Sequence, residues 1–388
     1  MSVIPESKIQ NSESKIIKVL VTGSNGFVGK NLCSVLRMIE SVQLYEFDIA
    51  NSSVDLERML SDVDVVVHLA GVNRPKNEQE FITGNAGLTE SICSYLSRSG
   101  KAAKIVLASS IQAESVNPYG QSKLQAEETI RQYAENSGAK AVVYRFKNLF
   151  GKWCRPNYNS VTATFCHNVA HGLPISISDP SRVIELTYID DVVNALVGEI
   201  MDDDSHAQPG FSFAPDLSGY PISLGELADL ITSFRNSRET LEMPGFDSSL
   251  IKALYATYLS YLDGEEFAYP LTIRSDERGC LAEMMKSRTF GQIFVSRTKP
   301  GITRGNHYHH TKTEKFMVVE GEAVIRFRRV DSDEVIEHRV SGKEFSVVDI
   351  PPGYTHHITN TGQGELVTLF WASEMFNPEL TDTYFMPV

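Results

Sequence analysis

The chain has 388 residues, a length typical of two domains that each bury their own core. Hydrophobic residues make up 42% and charged residues 22%, which is ordinary for a globular protein, and no stretch approaches the roughly 18 apolar residues of a membrane-spanning helix. The net charge of −13 argues against nucleic acid or an acidic membrane surface as a partner.

The amino-terminal segment 1–17 is polar and lacks the apolar run of a signal peptide, so we expect a disordered extension. The chain has five cysteines, an odd number without paired spacing. This usage predicts reduced thiols and a cytoplasmic location.

A glycine-rich loop follows the first predicted strand. Residues 18–29 read KVLVTGSNGFVG, a short apolar strand, a Gly-x-x-Gly-x-x-Gly turn and the start of a helix, and a second strand follows. This order is typical of dinucleotide-binding folds, where the glycines allow a tight turn and bring backbone N–H groups close to a pyrophosphate. The predicted cofactor-binding residues here are Gly23, Asn25, Gly26, Phe27, Val28, Gly29 and Asp48.

Asp48 ends the second strand, where an acid usually bonds a ribose hydroxyl and so favours NAD(H). A cofactor with a 2′-phosphate would be repelled there, unless Asp48 turns away and a base such as Lys30 or Arg37 compensates.

Apolar runs at 64–71, 103–110 and 140–146 predict three further strands, separated by helical patterns. Because these runs do not alternate with polar residues, we expect a parallel sheet covered by helices on both faces. The fold class predicted for this half is an α/β, doubly wound parallel sheet of the Rossmann type. The turn after the third strand, Leu69, Ala70 and Gly71, would lie beside the nicotinamide of the cofactor.

A set of three residues, one at the end of the fourth strand and two in the helix that follows, suggests carbonyl chemistry. Tyr119 and Lys123 are four apart at the start of a predicted helix and therefore share a face, and Ser110 ends the preceding strand. An ammonium beside a phenol lowers its pKa, so Tyr119 could exchange a proton with a carbonyl oxygen that Ser110 also holds.

Residues 18–240 resemble the extended short-chain dehydrogenase/reductase family. The resemblance rests on TGSNGFVG, HLAG, Asn85, YRFKNLFG and LTYIDDVV, together with Ser110, Tyr119 and Lys123, although the interval from Ser110 to Tyr119 is shorter than most members show. It implies a nicotinamide cofactor, Ser110, Tyr119 and Lys123 as the catalytic trio, and a nucleotide-sugar substrate with Asn148 near its diphosphate.

Two polar loops follow strand ends, which is where ligands bind in such sheets. They carry Arg74, Lys152 and Arg155, which we interpret as candidate diphosphate or sugar contacts, with solvated loop charges as the alternative.

The second half changes character. A linker helix is predicted over 246–265 between a first domain at 18–245 and a second at 266–388, where short strands with polar turns predict an all-β barrel. Its segment GNHYHHTKTE places His307 and His309 on one face of a strand and His310 on the other. With Glu314 and His356 nearby, three imidazoles and a carboxylate predict a site for Zn²⁺ or another divalent metal.

Residues 270–388 resemble the cupin superfamily, through the motif that runs from Gly301 to Gly321 and a second motif at 351–360. The resemblance implies His307, His309, Glu314 and His356 as metal ligands. The segment KPGITRGNHYHH also resembles metal-free cupin epimerases, in which the position of His307 is a general base. Since those epimerases lack the second histidine and the glutamate, we favour metal binding.

Nearly the whole chain resembles the CapF-type family of bifunctional capsular polysaccharide synthesis enzymes, through NPYG-SK, NLFGKWC, GNH-HHTK-EKF and the DTYF ending. The resemblance implies a UDP-sugar substrate, C3 epimerisation by the cupin with Lys312, His310 or His357 as base, and C4 reduction with NADPH, although Asp48 argues for NADH. We expect a homodimer. The alternatives are a reductase with a purely structural, dimerising cupin and a non-catalytic nucleotide-sugar binding protein.

Overall fold

The computed structural model describes residues 15–75, 77, 79–202 and 210–388, and these form two compact units. The first unit comprises the described residues up to Asp229 together with Ala253–Tyr261, and the second comprises Leu230–Lys252 and Leu262–Val388. Residues 1–14 of the predicted extension lie outside the described residues, and the first strand begins at Ile17.

Six parallel strands form the main sheet of the first unit. They are β1 Ile17–Thr22, β2 Val42–Phe47, β3 Val65–His68, β4 Lys104–Ser110, β5 Lys140–Phe146 and β8 Gly210–Phe213. Their order is β2-β1-β3-β4-β5-β8, which confirms the predicted Rossmann-type sheet. Strand β8 is only four residues long and forms by pairing with β5.

Helices cover both faces of this sheet. They are α1 Phe27–Leu36, α2 Ser53–Leu60, α3 Gln79–Phe81, α4 Leu88–Ser99, α5 Pro118–Ser137, α6 Val161–Ala170 and α7 Ile189–Met201. Successive β1 residues enter different cores: Leu20 packs with side chains of α2, α4 and α5, whereas Val19 and Val21 pack with those of α1 and α7. This two-sided burial explains why the strands read as unbroken apolar runs.

A small sheet and two further helices accompany the main sheet and its covering helices. A three-stranded sheet contains β6 Asn148–Phe150, β7 Val183–Tyr188 and β9 Tyr220–Ser223, in that order. Two further helices are α8 Leu224–Thr240 and α9 Ser249–Leu259, and α9 falls within the helix predicted over 246–265. Among the described residues, we find no helix with both the length and the apolar character needed to span a bilayer.

The second unit is built from antiparallel strands in two sheets. Its strands are β10 Ile273–Asp276, β11 Gly279–Ser287, β12 Gly291–Thr298, β13 Thr303–Tyr308, β14 Glu314–Glu320, β15 Glu322–Arg329, β16 Val335–Ser341, β17 Val347–Ile350, β18 Tyr354–Asn360, β19 Leu366–Ala372 and β20 Tyr384–Phe385. The orders are β10-β11-β12-β19-β14-β17 and β16-β15-β18-β13-β20.

The core of this unit lies between its two sheets. Phe316 and Phe370 come from the first sheet, Ile325, Phe327 and Ile358 come from the second, and all five are buried in one cluster. The predicted all-β architecture is confirmed, and the strands that carry the predicted metal ligands border this apolar core.

Candidate active sites

The glycine-rich loop between β1 and α1 is packed too closely to admit side chains. Gly23 has φ +69°, and a Cβ there would lie 2.8 Å from the backbone of Ala70. A Cβ on Gly29 would lie 2.1 Å from the carbonyl oxygen of Gly23. Within the described chain, no side chain caps α1 at Gly26, so the first N–H groups of this helix can receive a phosphate.

Asp48 faces this loop. One of its carboxylate oxygens accepts the N–H of Asn25 at 2.7 Å, and the other accepts the N–H of Ile49 at 2.8 Å. The position suits a bond to the ribose of a dinucleotide. Of the two bases considered for a 2′-phosphate, Arg37 is held by both oxygens of Glu46 at 2.6 and 2.7 Å, which leaves the exposed Lys30 as the candidate.

The structure brings Ser110, Tyr119 and Lys123 together. Ser110 ends β4, a single 3₁₀ turn over Ile111–Glu114 follows, and α5 begins at Pro118, so one tight turn spans the short interval noted in the sequence. Burial raises the pKa of Tyr119, and the Ser110 hydroxyl, hydrogen-bonded to the phenol, acts in the opposite direction.

The direction of this shift corrects one expectation. We predicted that the ammonium of Lys123 lowers the pKa of Tyr119, but the pKa is raised. The Lys123 ammonium lies 6.0 Å from the centre of the Tyr119 ring and donates to the carbonyl of Ala108 at 3.1 Å. Burial of the phenol therefore determines the direction of the pKa shift. The phenol therefore stays protonated near neutrality, which is the form that can act as an acid.

Lys123 lies in a tightly closed environment. Burial lowers its pKa to about 8, and Glu127, one helical turn later, acts in the opposite direction. A Cβ on Gly71 would lie 3.1 Å from the ammonium nitrogen and 2.8 Å from Oδ1 of Asn85, which explains the glycine at this predicted cofactor position. Asn85 lies in a π-helical turn, Ile82–Gly87, a feature frequent at functional sites.

A buried ion pair supports the end of β4, and the sequence analysis missed it. Glu127 is 2% exposed, and both of its oxygens accept hydrogen bonds from Arg145, at 2.9 and 2.6 Å. Ser109, the neighbour of Ser110, donates to the same carboxylate. The only sequence signal was the spacing of four residues from Lys123 to Glu127, which places both on one helix face.

Two of the four predicted substrate residues meet at an aromatic ring. The guanidinium carbons of Arg74 and Arg155 lie 5.2 and 5.1 Å from the centre of the Tyr158 ring. Arg74 also donates to Oδ1 of Asn159 at 2.9 Å, and an open cleft of about 530 Å³ lies beside them. Cationic groups on an aromatic ring suit a nucleotide diphosphate. No sequence motif points to Tyr158.

The other two predicted substrate residues have partners of their own. Lys152 binds Asp190 at 2.6 Å, and Asn148 donates to the carbonyl of Glu185 at 3.1 Å. A cavity of about 310 Å³ lies at the carboxyl ends of β5 and β8 and is lined in part by Lys147, which the sequence analysis did not consider. Ligands in parallel sheets bind at this edge.

The predicted metal residues converge in the second unit. His307, His309, Glu314 and His356 each offer a ligand atom, and these atoms all lie within 4.8 Å of one another. A bulge at Asn306, with φ +58°, shifts the register of β13 so that His307 stands opposite His356 on β18. Burial lowers the pKa of His307 to about 4, with the adjacent His356 acting in the same direction, so its ring is neutral and can ligate a metal.

The arrangement of lone pairs fits a bound cation. A carbonyl oxygen only accepts, so Nδ1 of His309, bonded to the carbonyl of Asp382, and Nδ1 of His356, bonded to that of Tyr354, both carry hydrogen. The two Nε2 atoms lie 3.4 and 3.3 Å from a carboxylate oxygen of Glu314. Both Nε2 atoms are buried and lack a hydrogen-bond partner among the described residues. When the two rings are neutral, these nitrogens face the carboxylate with lone pairs, and such facing acceptors are unfavourable unless a cation lies between them.

The three candidate bases differ in position. His357 pairs across the strands with Arg326, on the face opposite His356, and the ring of His310 packs on Tyr384 at 4.8 Å. Lys312 is close enough to His307 to lower its pKa, as one of several smaller effects after burial. Each of the three is within two residues of a predicted ligand in sequence, and all three stay candidate bases.

Matches with known proteins cover nearly the whole chain. The "NAD dependent epimerase/dehydratase family" matches residues 19–209, and "Polysaccharide biosynthesis C-terminal domain" matches residues 274–384. The first match supports a nicotinamide cofactor. A UDP-glucuronic acid 4-epimerase from Bacillus cereus, solved with NAD, is 18% identical with a TM-score of 0.53 over 63% of this chain and 98% of that chain, and shares the fold of the first unit.

Two relatives match from end to end. The "UDP-2-acetamido-2,6-beta-L-arabino-hexul-4-ose reductase" of Pseudomonas aeruginosa is 43% identical, over 95% of this chain and 98% of that protein. The crystal structure of the capsular polysaccharide assembling protein CapF from Staphylococcus aureus is 45% identical with a TM-score of 0.88, over 95% of this chain and 100% of that chain. The chain therefore belongs to the CapF family, as its sequence motifs predicted.

Proposed function

We propose that the protein is a bifunctional nucleotide-sugar enzyme of capsular polysaccharide synthesis. Its cupin domain, 266–388, would epimerise C3 of a UDP-2-acetamido-2,6-dideoxy-4-keto-hexose. Its reductase domain, 18–245, joined through a linker helix at 246–265, would then reduce C4 to give UDP-2-acetamido-2,6-dideoxy-L-talose. The supporting observation is that one chain holds both the Ser110–Tyr119–Lys123 trio and the His–Glu cluster. The name of the P. aeruginosa relative, a hexul-4-ose reductase, supports the second step.

In the reduction, the residues of the first unit hold the keto group and supply a proton. A bound nicotinamide cofactor, NADPH in this proposal, would supply the hydride to C4. Tyr119 gives its proton to the C4 oxygen, and the Ser110 hydroxyl donates to the same oxygen. Lys123 holds the ribose and offsets the charge left on the phenolate. The glycine-rich loop and the turn Leu69–Gly71 would hold the cofactor.

In the epimerisation, a proton leaves C3 and returns on the opposite face. A bound divalent metal, Zn²⁺ in this proposal, would supply Lewis-acid stabilisation of the charge that develops on the C4 oxygen. His307, His309, Glu314 and His356 would hold it. Lys312, His310 and His357 are the candidate bases. Since the keto group acidifies C3, the two steps share one functional group of the substrate.

The proposed substrate contacts are Arg74, Asn148, Lys152 and Arg155. Arg74 and Arg155 around the Tyr158 ring form the strongest group, because two cations beside an open cleft suit the diphosphate of a UDP-sugar. A homodimer and a cytoplasmic location belong to the same proposal. Sedimentation of the purified protein tests the former. The five free cysteines, four of them buried, support a reducing compartment.

Asp48→Asn is expected to raise the ratio of kcat/KM with NADPH to that with NADH by about tenfold. The change keeps an acceptor for the Asn25 N–H but removes a charge that repels a 2′-phosphate, worth about 1–2 kcal/mol. Initial rates with both cofactors measure the ratio. Asp62→Asn, at the amino end of the sheet beside Lys18, is the matched control. An unchanged ratio would show that Asp48 does not face the 2′ position.

The rate of reduction is expected to fall as pH rises through about 8. The ammonium of Lys123 is present below its lowered pKa of about 8 and is lost above it, while the raised pKa of Tyr119 keeps the phenol protonated over this range. Measuring kcat/KM against pH tests this. Lys123→Arg stays charged and should be slower but lack the fall near pH 8. A fall at the same pH in both proteins would assign the titration to another group.

The central test is hydrogen exchange at C3 in D₂O without cofactor, followed by proton NMR on the UDP-4-keto-6-deoxy-N-acetylhexosamine. Deuterium that enters C3, and enters more slowly after a chelator is added, would support an independent epimerase. No exchange, with normal reduction once NADPH is added, would leave the second unit as a scaffold. Failure to oxidise NADPH or NADH with any 4-keto UDP-sugar would instead indicate a binding protein.

A further inference from the structure

The carboxyl-terminal segment of the chain runs along the strand that carries His307. Strand β20 pairs with β13, with Phe385 opposite His307 and Tyr384 opposite Tyr308. The next residue, Met386, donates its N–H to the carbonyl of Asn306, the bulge residue, at 2.9 Å. The carboxyl-terminal segment and β13, which are far apart in sequence, are therefore hydrogen-bonded to each other beside the metal cluster.

Asp382, just before this strand, closes the turn that links two of the predicted ligands. One carboxylate oxygen accepts the N–H of His310 at 2.8 Å. The other accepts the N–H groups of Thr311 and Lys312, at 2.7 and 2.9 Å, and the hydroxyl of Thr311 at 2.9 Å. This turn connects His309 to Glu314, so one carboxylate fixes the path of the backbone between them.

The backbone of Asp382 acts on His309 directly. Its carbonyl oxygen accepts the hydrogen on Nδ1 of His309, so in the neutral ring the lone pair is on Nε2, the atom that faces Glu314. The same residue thus fixes the tautomer of one ligand through its carbonyl and the spacing between two ligands through its carboxylate. An outer partner that fixes the orientation of a ligating histidine strengthens metal binding.

We propose that Asp382 is a positioning residue of the metal centre, which holds His309 and the turn 310–312 in the geometry that binds a divalent cation. This inference rests on the proposed metal site and adds a residue 68 positions after the ligand Glu314. Its carboxylate acts through the four hydrogen bonds that it accepts.

The test compares Zn²⁺ affinities of the full-length protein, measured by competition with a chromophoric chelator. Asp382→Asn turns one acceptor oxygen into a donor that cannot accept backbone N–H groups, and we expect a loss of about 10- to 100-fold in affinity. Asp333→Asn, an exposed acid in the turn after β15, is the matched control and should bind Zn²⁺ like the unmodified chain. The visible spectrum of Co²⁺-loaded Asp382→Asn should also change, because it reports ligand geometry.

Thr311→Val is the second variant, because it removes one of the four hydrogen bonds and leaves the carboxylate in place. We expect a smaller loss of Zn²⁺ affinity than in Asp382→Asn. If Asp382→Asn does not fold, the Zn²⁺ affinity of Thr311→Val tests the positioning role in its place. Far-UV circular dichroism and thermal unfolding of each variant report whether the full chain, including the second unit, is folded. Unchanged affinity and Co²⁺ spectrum in folded Asp382→Asn would overturn the positioning role alone. An unmodified protein that binds no Zn²⁺ would overturn the metal site as well.

Discussion

Tyr119→Phe is expected to lower kcat for C4 reduction by about 100- to 10 000-fold, the contribution typical of a positioned general acid. Tyr119 is the half-buried phenol beside Ser110, and its raised pKa keeps its proton available near neutrality. Phenylalanine preserves the ring and its contact with Phe81, at 5.7 Å between centroids, so the fold should not change. The measurement is NADPH oxidation with the UDP-4-keto sugar at saturating cofactor.

Carbon-3 exchange should be unaffected in Tyr119→Phe, so this variant should accumulate the C3-epimerised ketone. Tyr133→Phe is the matched control, since Tyr133 is a buried tyrosine of the same helix whose hydroxyl donates to the carbonyl of Ala103 at 2.8 Å. We expect a modest loss of stability, about 1 kcal/mol, and normal kcat. A Tyr119→Phe protein that reduces at the normal rate would remove Tyr119 from the reaction.

The sequence signals for the proposed reductase site are local. The glycine spacing and the four-residue step from Tyr119 to Lys123 each lie within one turn or helix, and the structure brings Ser110 to them. The Glu127–Arg145 ion pair joins a helix to a strand, so its partner could not be found from spacing. The pKa of Tyr119 was predicted in the wrong direction because burial depends on packing that no local pattern reveals.

At the metal cluster, too, local sequence patterns predict some of the residues, and only the tertiary structure reveals the others. Alternation along a strand correctly placed His307 and His309 together and His310 on the other side. The bulge at Asn306 and the partner Asp382 could not be predicted, because they depend on the register between strands distant in sequence. Local chemistry therefore identified the candidate ligands, whereas the residues that orient them required the tertiary structure.

His356→Ala is expected to abolish metal binding and to slow C3 exchange by at least about 100-fold. His356 is fully buried, and its Nε2 lies 3.3 Å from Glu314, so alanine removes one of four converging ligand atoms and opens the site. Metal content of the purified protein and deuterium incorporation at C3 measure the two effects. His338→Ala, at an exposed histidine of β16, is the matched control and should retain both.

The decisive comparison uses the two variants together. His356→Ala keeps Ser110, Tyr119 and Lys123, so it should reduce the C3-epimerised ketone that Tyr119→Phe accumulates, with NADPH oxidised at a near-normal rate. A mixture of the two proteins should therefore turn over the starting sugar that neither reduces alone. If His356→Ala reduced the starting sugar unaided, C3 epimerisation would not precede reduction. If it exchanged C3 at the normal rate without metal, the His–Glu cluster would have no part in the epimerisation, and the second unit would need a different source of charge stabilisation.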